Sequence, residues 1–118
     1  MQTPQVHVWQ AVAKEALNPK MARKVVHTAR MSIARLEIQK DGVVPEHQHE
    51  NEQVSMVESG ALLFKFPHGE MTVVGGESME IPPNLPHSVV ALEDTVVLDL
   101  FAPRREDWIR GDDAYLRR

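Results

Sequence analysis

The sequence predicts an all-β domain, a sandwich or barrel of short strands. Three observations carry that prediction. About eight strand-length segments recur at roughly ten-residue spacing; Gly, Pro, Asn and Asp punctuate the gaps; and the best-defined segments alternate with period two. At 118 residues the chain is of single-domain size and can bury one core. Its 42% hydrophobic and 25% charged fractions are those of a globular protein, and no repeat, linker or low-complexity segment interrupts it. Residues 1–118 are therefore read as a single domain with a barrel core over about 30–103.

The first thirty residues carry the weakest pattern. Val6 to Trp9 is expected as a short strand, Ala11 to Leu17 allows a helical turn, and Asn18-Pro19 marks a turn. His7 and His27 have no partner at ligand spacing and are read as exposed or locally satisfied. Met21 and Met31 are read as core fillers, because Met packs irregular gaps.

From Met31 the β pattern becomes regular. Met31 to Gln39 sets Ser32, Ala34, Leu36 and Ile38 against Arg35, Glu37 and Gln39, and Lys40-Asp41-Gly42 turns the chain. Val43 to His49, Gln53 to Glu58 and Ala61 to Phe66 follow. Pro67 to Glu70 reads as a hairpin tip, with His68 in solvent. Met71 to Val74 and Glu77 to Ile81 flank Gly75-Gly76. A stiff Pro82 to Pro86 loop then leads into His87 to Leu92, and Thr95 to Phe101 ends the series. Beyond Pro103, Arg104 to Arg110 is expected as a short helix, and Gly111 to the basic end as frayed or interface-seeking.

Composition removes several function classes. A net charge of −4 and an isoelectric point near 5.8 leave no electrostatic footprint for nucleic acid or an anionic membrane. Without cysteine there are no disulfides, thiolate nucleophiles or Cys-ligated zinc. No signal-like or membrane-spanning stretch stands out, so a cytoplasmic location is expected.

The candidate chemistry gathers around Gly42 to Gly60. His47 and His49, two apart, share one face of a strand, and Gln53 keeps their parity if the strand continues. His87 follows the proline-rich loop. Three neutral imidazoles with one oxygen donor suit a divalent transition metal: nickel, zinc, iron, cobalt or manganese. Glu50 and Glu52 are competing carboxylates of the wrong parity. Glu52 remains the substitute for Gln53 should a bulge reset the faces.

These residues resemble the two sequence motifs of the cupin superfamily. The first, G-x5-H-x-H-x(3,4)-E-x6-G, is matched by Gly42, His47, His49, Gln53 and Gly60. The second, G-x5-P-x-G-x2-H, is matched by Gly76, Pro82, Asn84 and His87. Three departures stand out: the first gap is one residue short, Gln53 replaces Glu, and Asn84 replaces Gly. Asn tolerates a left-handed backbone, so the last change is mild. The resemblance implies a small double-stranded β-helix (jelly-roll) barrel, a metal on His47, His49, Gln53 and His87, and a homodimer. A neutral Gln keeps the full +2 charge on the ion, which favours Lewis-acid polarisation over stabilising trivalent iron.

Thr95 to Phe101 reads TVVLDLF, with Val97, Asp99 and Phe101 on one face. A carboxylate inside an apolar strand is costly unless it is paired or lines a cavity. Asp99, Phe101, Pro103 and Arg105, followed by an acidic residue, resemble the DxFxPxR order of the pectin-degradation cupins called KdgF. Those proteins open the ring of 4,5-unsaturated monouronates. By that resemblance Asp99, Phe101 and Arg105 act on a sugar-acid substrate. Two other readings are a metal-dependent cupin dioxygenase, disfavoured by Gln53, and a non-catalytic sugar-acid-binding module.

Overall fold

A computed structural model describes residues 3–118. Ten antiparallel strands form two sheets: β1 (Glu15–Asn18), β2 (Met21–His27), β3 (Ser32–Ile38), β4 (Val43–His47), β5 (Glu52–Ser59), β6 (Ala61–Phe66), β7 (Gly69–Val74), β8 (Ser78–Ile81), β9 (His87–Ala91) and β10 (Thr95–Ala102). The six-stranded sheet runs β1-β2-β3-β10-β5-β8 and the four-stranded sheet β4-β9-β6-β7. From β3 to β10 the chain keeps crossing between sheets, with the β6–β7 hairpin as the one exception. That is the jelly-roll pattern.

Period-two patterning explains the packing. Ala34, Leu36 and Ile38 of β3, Val57 of β5, Ile81 of β8 and Val97 and Phe101 of β10 face Val44, Leu62, Phe64, Val73, Val89 and Ala91 of the other sheet. All are buried in one core. A short helix α1 (Glu106–Ile109) follows, burying Trp108, and a 3-10 turn at Ala114–Arg117 buries Leu116. No helix among the described residues is long and apolar enough to cross a membrane.

The regular strands from Ser32 to Ala102 fall where the sequence puts them, to within two residues at most ends. The N-terminal third differs. Val6 to Val8 is not a strand, Trp9–Ala11 is a 3-10 turn, and Glu15 to Leu17 lies in β1 rather than in a helix. With β2, this hairpin extends the six-stranded sheet across β3. The pattern was masked because Arg23, on the inward face of β2 opposite Leu36, is buried and charged. Met21 is a core residue as expected, whereas Met31 is 38% exposed in the Thr28–Met31 turn. His68 is exposed at its hairpin tip, and His27 is satisfied by Ser32 Oγ at 2.7 Å.

The C-terminal tail is docked, not frayed. Asp113 is buried against Arg23 Nη2 at 2.6 Å, and Asn18 Nδ2 donates to the Leu116 carbonyl. The apolar Leu116 and the buried ion pair anchor it over one end of the barrel.

Candidate metal centre

The topology brings the four predicted ligands to that same barrel end. His47 closes β4 and His87 opens β9, and the two are directly paired across the strands, with ring centroids 4.3 Å apart. His49 lies in the connection to β5, and Gln53 sits near the start of β5 in the opposite sheet. The strand therefore ends at His47, short of the expected His49, and a new one begins before Gln53. Their shared inward direction comes from the crossing of sheets, not from continued parity. Glu50 and Glu52 are exposed, which removes both as ligands.

Each imidazole is oriented by its own backbone. Nδ1 of His47 donates to the Pro45 carbonyl at 2.8 Å, that of His49 to Asn51 at 3.0 Å, and that of His87 to Leu85 at 2.8 Å. A carbonyl only accepts, so each Nδ1 carries the proton and each Nε2 presents a lone pair. The ligating nitrogens lie within 4.8 Å of one another. Burial lowers His47 to about 3 and His49 to about 4, the latter helped by the charge of Arg105. His87 is lowered by burial too. All three are neutral, as ligands must be.

Two contacts test whether a cation fits. His87 Nε2 is buried without a hydrogen-bond partner. Gln53 Oε1 lies 3.0 Å from His49 Nε2, two acceptors face to face. The amide cannot simply be turned over. Its Nε2 donates to Ser55 Oγ at 2.9 Å, and Ser55 donates onward to Asp99 Oδ1 at 2.6 Å. A divalent ion held by His47, His49, His87 and Gln53 would relieve that repulsion and give His87 Nε2 a partner. The residues fit the metal.

Asp99 has no basic partner: among the described residues no Lys or Arg makes an ion pair with it, and Ser55 is its side-chain donor. Burial raises its carboxyl to about 6, against the opposing pull of Ser55 and of Arg105. Arg105 is buried, 1% exposed, its guanidinium 4.7 Å from the Phe101 ring centroid and 4.2 Å from that of Trp108. Burial opposes its charge, but bonds to Asp107 at 2.8 and 3.0 Å and to Tyr115 Oη at 2.9 Å raise its pKa above the ordinary value. His47, Gln53, His87, Asp99, Phe101 and Arg105 line one cavity, and His49 packs against Phe101 at 5.5 Å.

Ser55, Asn51, Trp108 and Tyr115 escaped the sequence reading. Asn51 is buried and donates to the Pro103 and Arg104 carbonyls, tying the histidine loop to the end of β10. Ser55 shares the inward parity of Gln53, a signal available two residues along the strand. Asn84 adopts the left-handed backbone expected of it (φ 64°), and its N–H bonds the His49 carbonyl at 2.7 Å.

Comparison with known proteins agrees with this geometry. The cupin domain model matches residues 34–101. Among solved structures, KdgF from Halomonas sp. superposes with a TM-score of 0.82 at 28% identity, covering 90% of this chain and 99% of that one. An RmlC-like cupin from Shewanella frigidimarina follows at 0.81 and 21%, covering 91% and 97%. The Bacillus subtilis oxalate decarboxylase, a protein with Mn(II) centres, is similar in fold at 0.76 and 15%, covering 87% of this chain and 31% of its own. No curated protein sequence matches the chain.

Proposed function

The chain belongs to the cupin domain family, and from that premise we propose that it is a metal-dependent enzyme opening the ring of 4,5-unsaturated monouronates to the linear keto form. One observation carries the reading: Asp99, an inward carboxylate raised to about 6, is joined through Ser55 to Gln53 of the metal centre. A structural carboxylate would be neutralised by a cation at contact distance; Asp99 is instead left poised for proton transfer.

A divalent ion held by His47, His49, Gln53 and His87 would supply Lewis-acid polarisation of a substrate oxygen. The chain supplies the rest. Arg105 binds the uronate carboxylate, its guanidinium kept charged by Asp107. Phe101 offers an apolar wall to the sugar face. Asp99 Oδ takes the proton of the anomeric hydroxyl as the bond from C1 to the ring oxygen breaks. C1 becomes an aldehyde, and the bonding electrons pass to the ring oxygen, which becomes the enolate oxygen on C5. The same carboxyl returns its proton to C4, leaving the C5 ketone. Atoms and electrons balance without a redox cofactor, and a carboxyl near 6 serves in both directions at neutral pH.

The test follows loss of ultraviolet absorbance of 4,5-unsaturated galacturonate with metal-loaded protein, chelator-stripped protein and a protein-free blank. The loaded protein should exceed the blank and lose that excess on stripping. Asp99→Asn should lower kcat by about 100-fold or more with metal still bound. A loaded wild type no faster than the blank would sink the reading. We extend the proposal to a homodimer, supported by Val6 and Val8, which stand 90% and 57% exposed near the N-terminus; a monomeric mass by light scattering would remove that part.

A further inference from the structure

We propose that Tyr115 belongs to the substrate site, its hydroxyl holding the place of a substrate carboxylate oxygen, on a C-terminal tail that acts as a gate. The inference rests on the ring-opening reading and deepens it. The cavity beside the histidines is only ≈ 40 Å³. That is little more than the roughly 30 Å³ share of one water, and far below the several hundred Å³ that a small-molecule ligand occupies. On the side facing His47 and His87, the wall is the tail and the helix before it: Trp108, Tyr115 and Leu116. The Tyr115 ring lies 4.7 Å from that of His47 at 31°. The cavity shared by His47 and His87 admits a monouronate only if this wall moves.

The contacts of the hydroxyl identify what replaces it. Tyr115 Oη accepts from Arg105 Nη2 at 2.9 Å and from the Trp108 indole N–H at 3.3 Å. An oxygen taking two N–H donors, one of them cationic, has the surroundings of a carboxylate oxygen. A carboxylate in that place forms an ion pair with the guanidinium where the phenol offers it only a neutral oxygen, so substrate outcompetes the residue. Asp107 grips the guanidinium through Nε and Nη2 and need not move for the exchange.

The tail is docked by side-chain contacts rather than woven into a sheet. Gly111, at φ +82°, separates it from α1. Leu116 is its buried apolar anchor and Tyr115 packs partly buried against the core; its other ties are polar, from Asp113 to Arg23, from Arg117 to Glu15, and from Asn18 to the Leu116 carbonyl. No strand ladder holds it.

Two measurements test this. Tyr115→Phe removes the competing hydroxyl and keeps the ring. By calorimetry, the metal-loaded variant should bind D-galacturonate, a saturated and therefore unreactive uronate, about three- to ten-fold tighter than wild type. Arg117→Ala cuts an exposed pair with Glu15, which contributes little to stability, and one with buried Asp113, which keeps its bond to Arg23, so the variant remains folded. In metal-free protein, diethyl pyrocarbonate should label His47 and His87 several-fold faster in this variant, read by mass spectrometry. Equal or weaker galacturonate binding by Tyr115→Phe, with unchanged labelling in Arg117→Ala, overturns the inference and leaves ring opening standing. Galacturonate binding to neither protein overturns the ring-opening reading and Tyr115's part in it. The labelling rates then decide the gate alone.

Discussion

Ser55 has one hydroxyl, fully buried, and two neighbours that need it. Accepting from the Gln53 amide turns Oε1 toward His49; donating to Asp99 partly offsets the cost of that carboxyl's burial. Such partners behind a metal ligand typically account for 10- to 100-fold in affinity. Ser55→Ala is expected to weaken divalent-metal binding about ten-fold in competition with a chromophoric chelator, and Ser55→Thr to restore it. Unchanged affinity in the Ala variant would show that Gln53 orients itself. Asp99 sets a second expectation at this scale. Its folded pKa, about 6, lies above the ordinary 3.8, so the folded state binds the extra proton between these values. Its contribution to stability is full below 3.8 and lost as pH rises through 6. In metal-free protein, Asp99→Asn should therefore match wild type near pH 3.5 and gain on it up to pH 7, on the order of 5 °C in Tm. A gain independent of pH would contradict the burial argument.

At the scale of elements, β10 is the organiser. It pairs with β3 on one side and β5 on the other, setting Asp99 opposite Ser55 and Phe101 opposite Gln53. Its start is locked to the β5–β6 turn: Thr95 Oγ1 accepts the Ala61 N–H at 3.1 Å and donates to the Glu93 carbonyl at 2.8 Å. Gly60 closes that turn at φ +95°, where an added Cβ would lie 2.4 Å from both the Asp94 carbonyl and Thr95 Oγ1. Gly60→Ala should destabilise the protein by more than about 2 kcal/mol in chemical denaturation, combining backbone strain with a clash that rigid backbone cannot relieve. A loss below about 0.5 kcal/mol would mean that the turn relaxes into another conformation.

Across the whole molecule, the metal centre ties the two sheets together. His47 and His87 belong to the four-stranded sheet, Gln53 to the six-stranded one, and His49 to the chain between them. An unfolded chain offers no such convergence, so binding stabilises the folded state by mass action. Free divalent ion at 100 times its Kd should add about 2.7 kcal/mol, seen as a rise in Tm that a chelator reverses and His87→Ala abolishes. A Tm indifferent to metal would argue against the centre. The tail belongs to this scale too, because Asp113, Tyr115 and Leu116 reach residues of β1, β2 and β4, and Arg105 ahead of α1, that no local pattern connects.

The all-β class, the strands from Ser32 onward and the clustering histidines His47, His49 and His87 were legible in the sequence. These rest on local signals: period-two alternation, turn residues, and histidines at motif spacing. The sequence singled out Asp99 as well, because a carboxylate on an apolar strand is anomalous wherever the strand lies. It takes the folded chain to show that β1 and β2 extend the sheet, that Arg105 is buried beneath Tyr115, and that Ser55 couples Gln53 to Asp99. Those facts depend on which strands become neighbours and on where the tail docks. Contacts between residues as distant as Asn18 and Leu116 leave no local period to read.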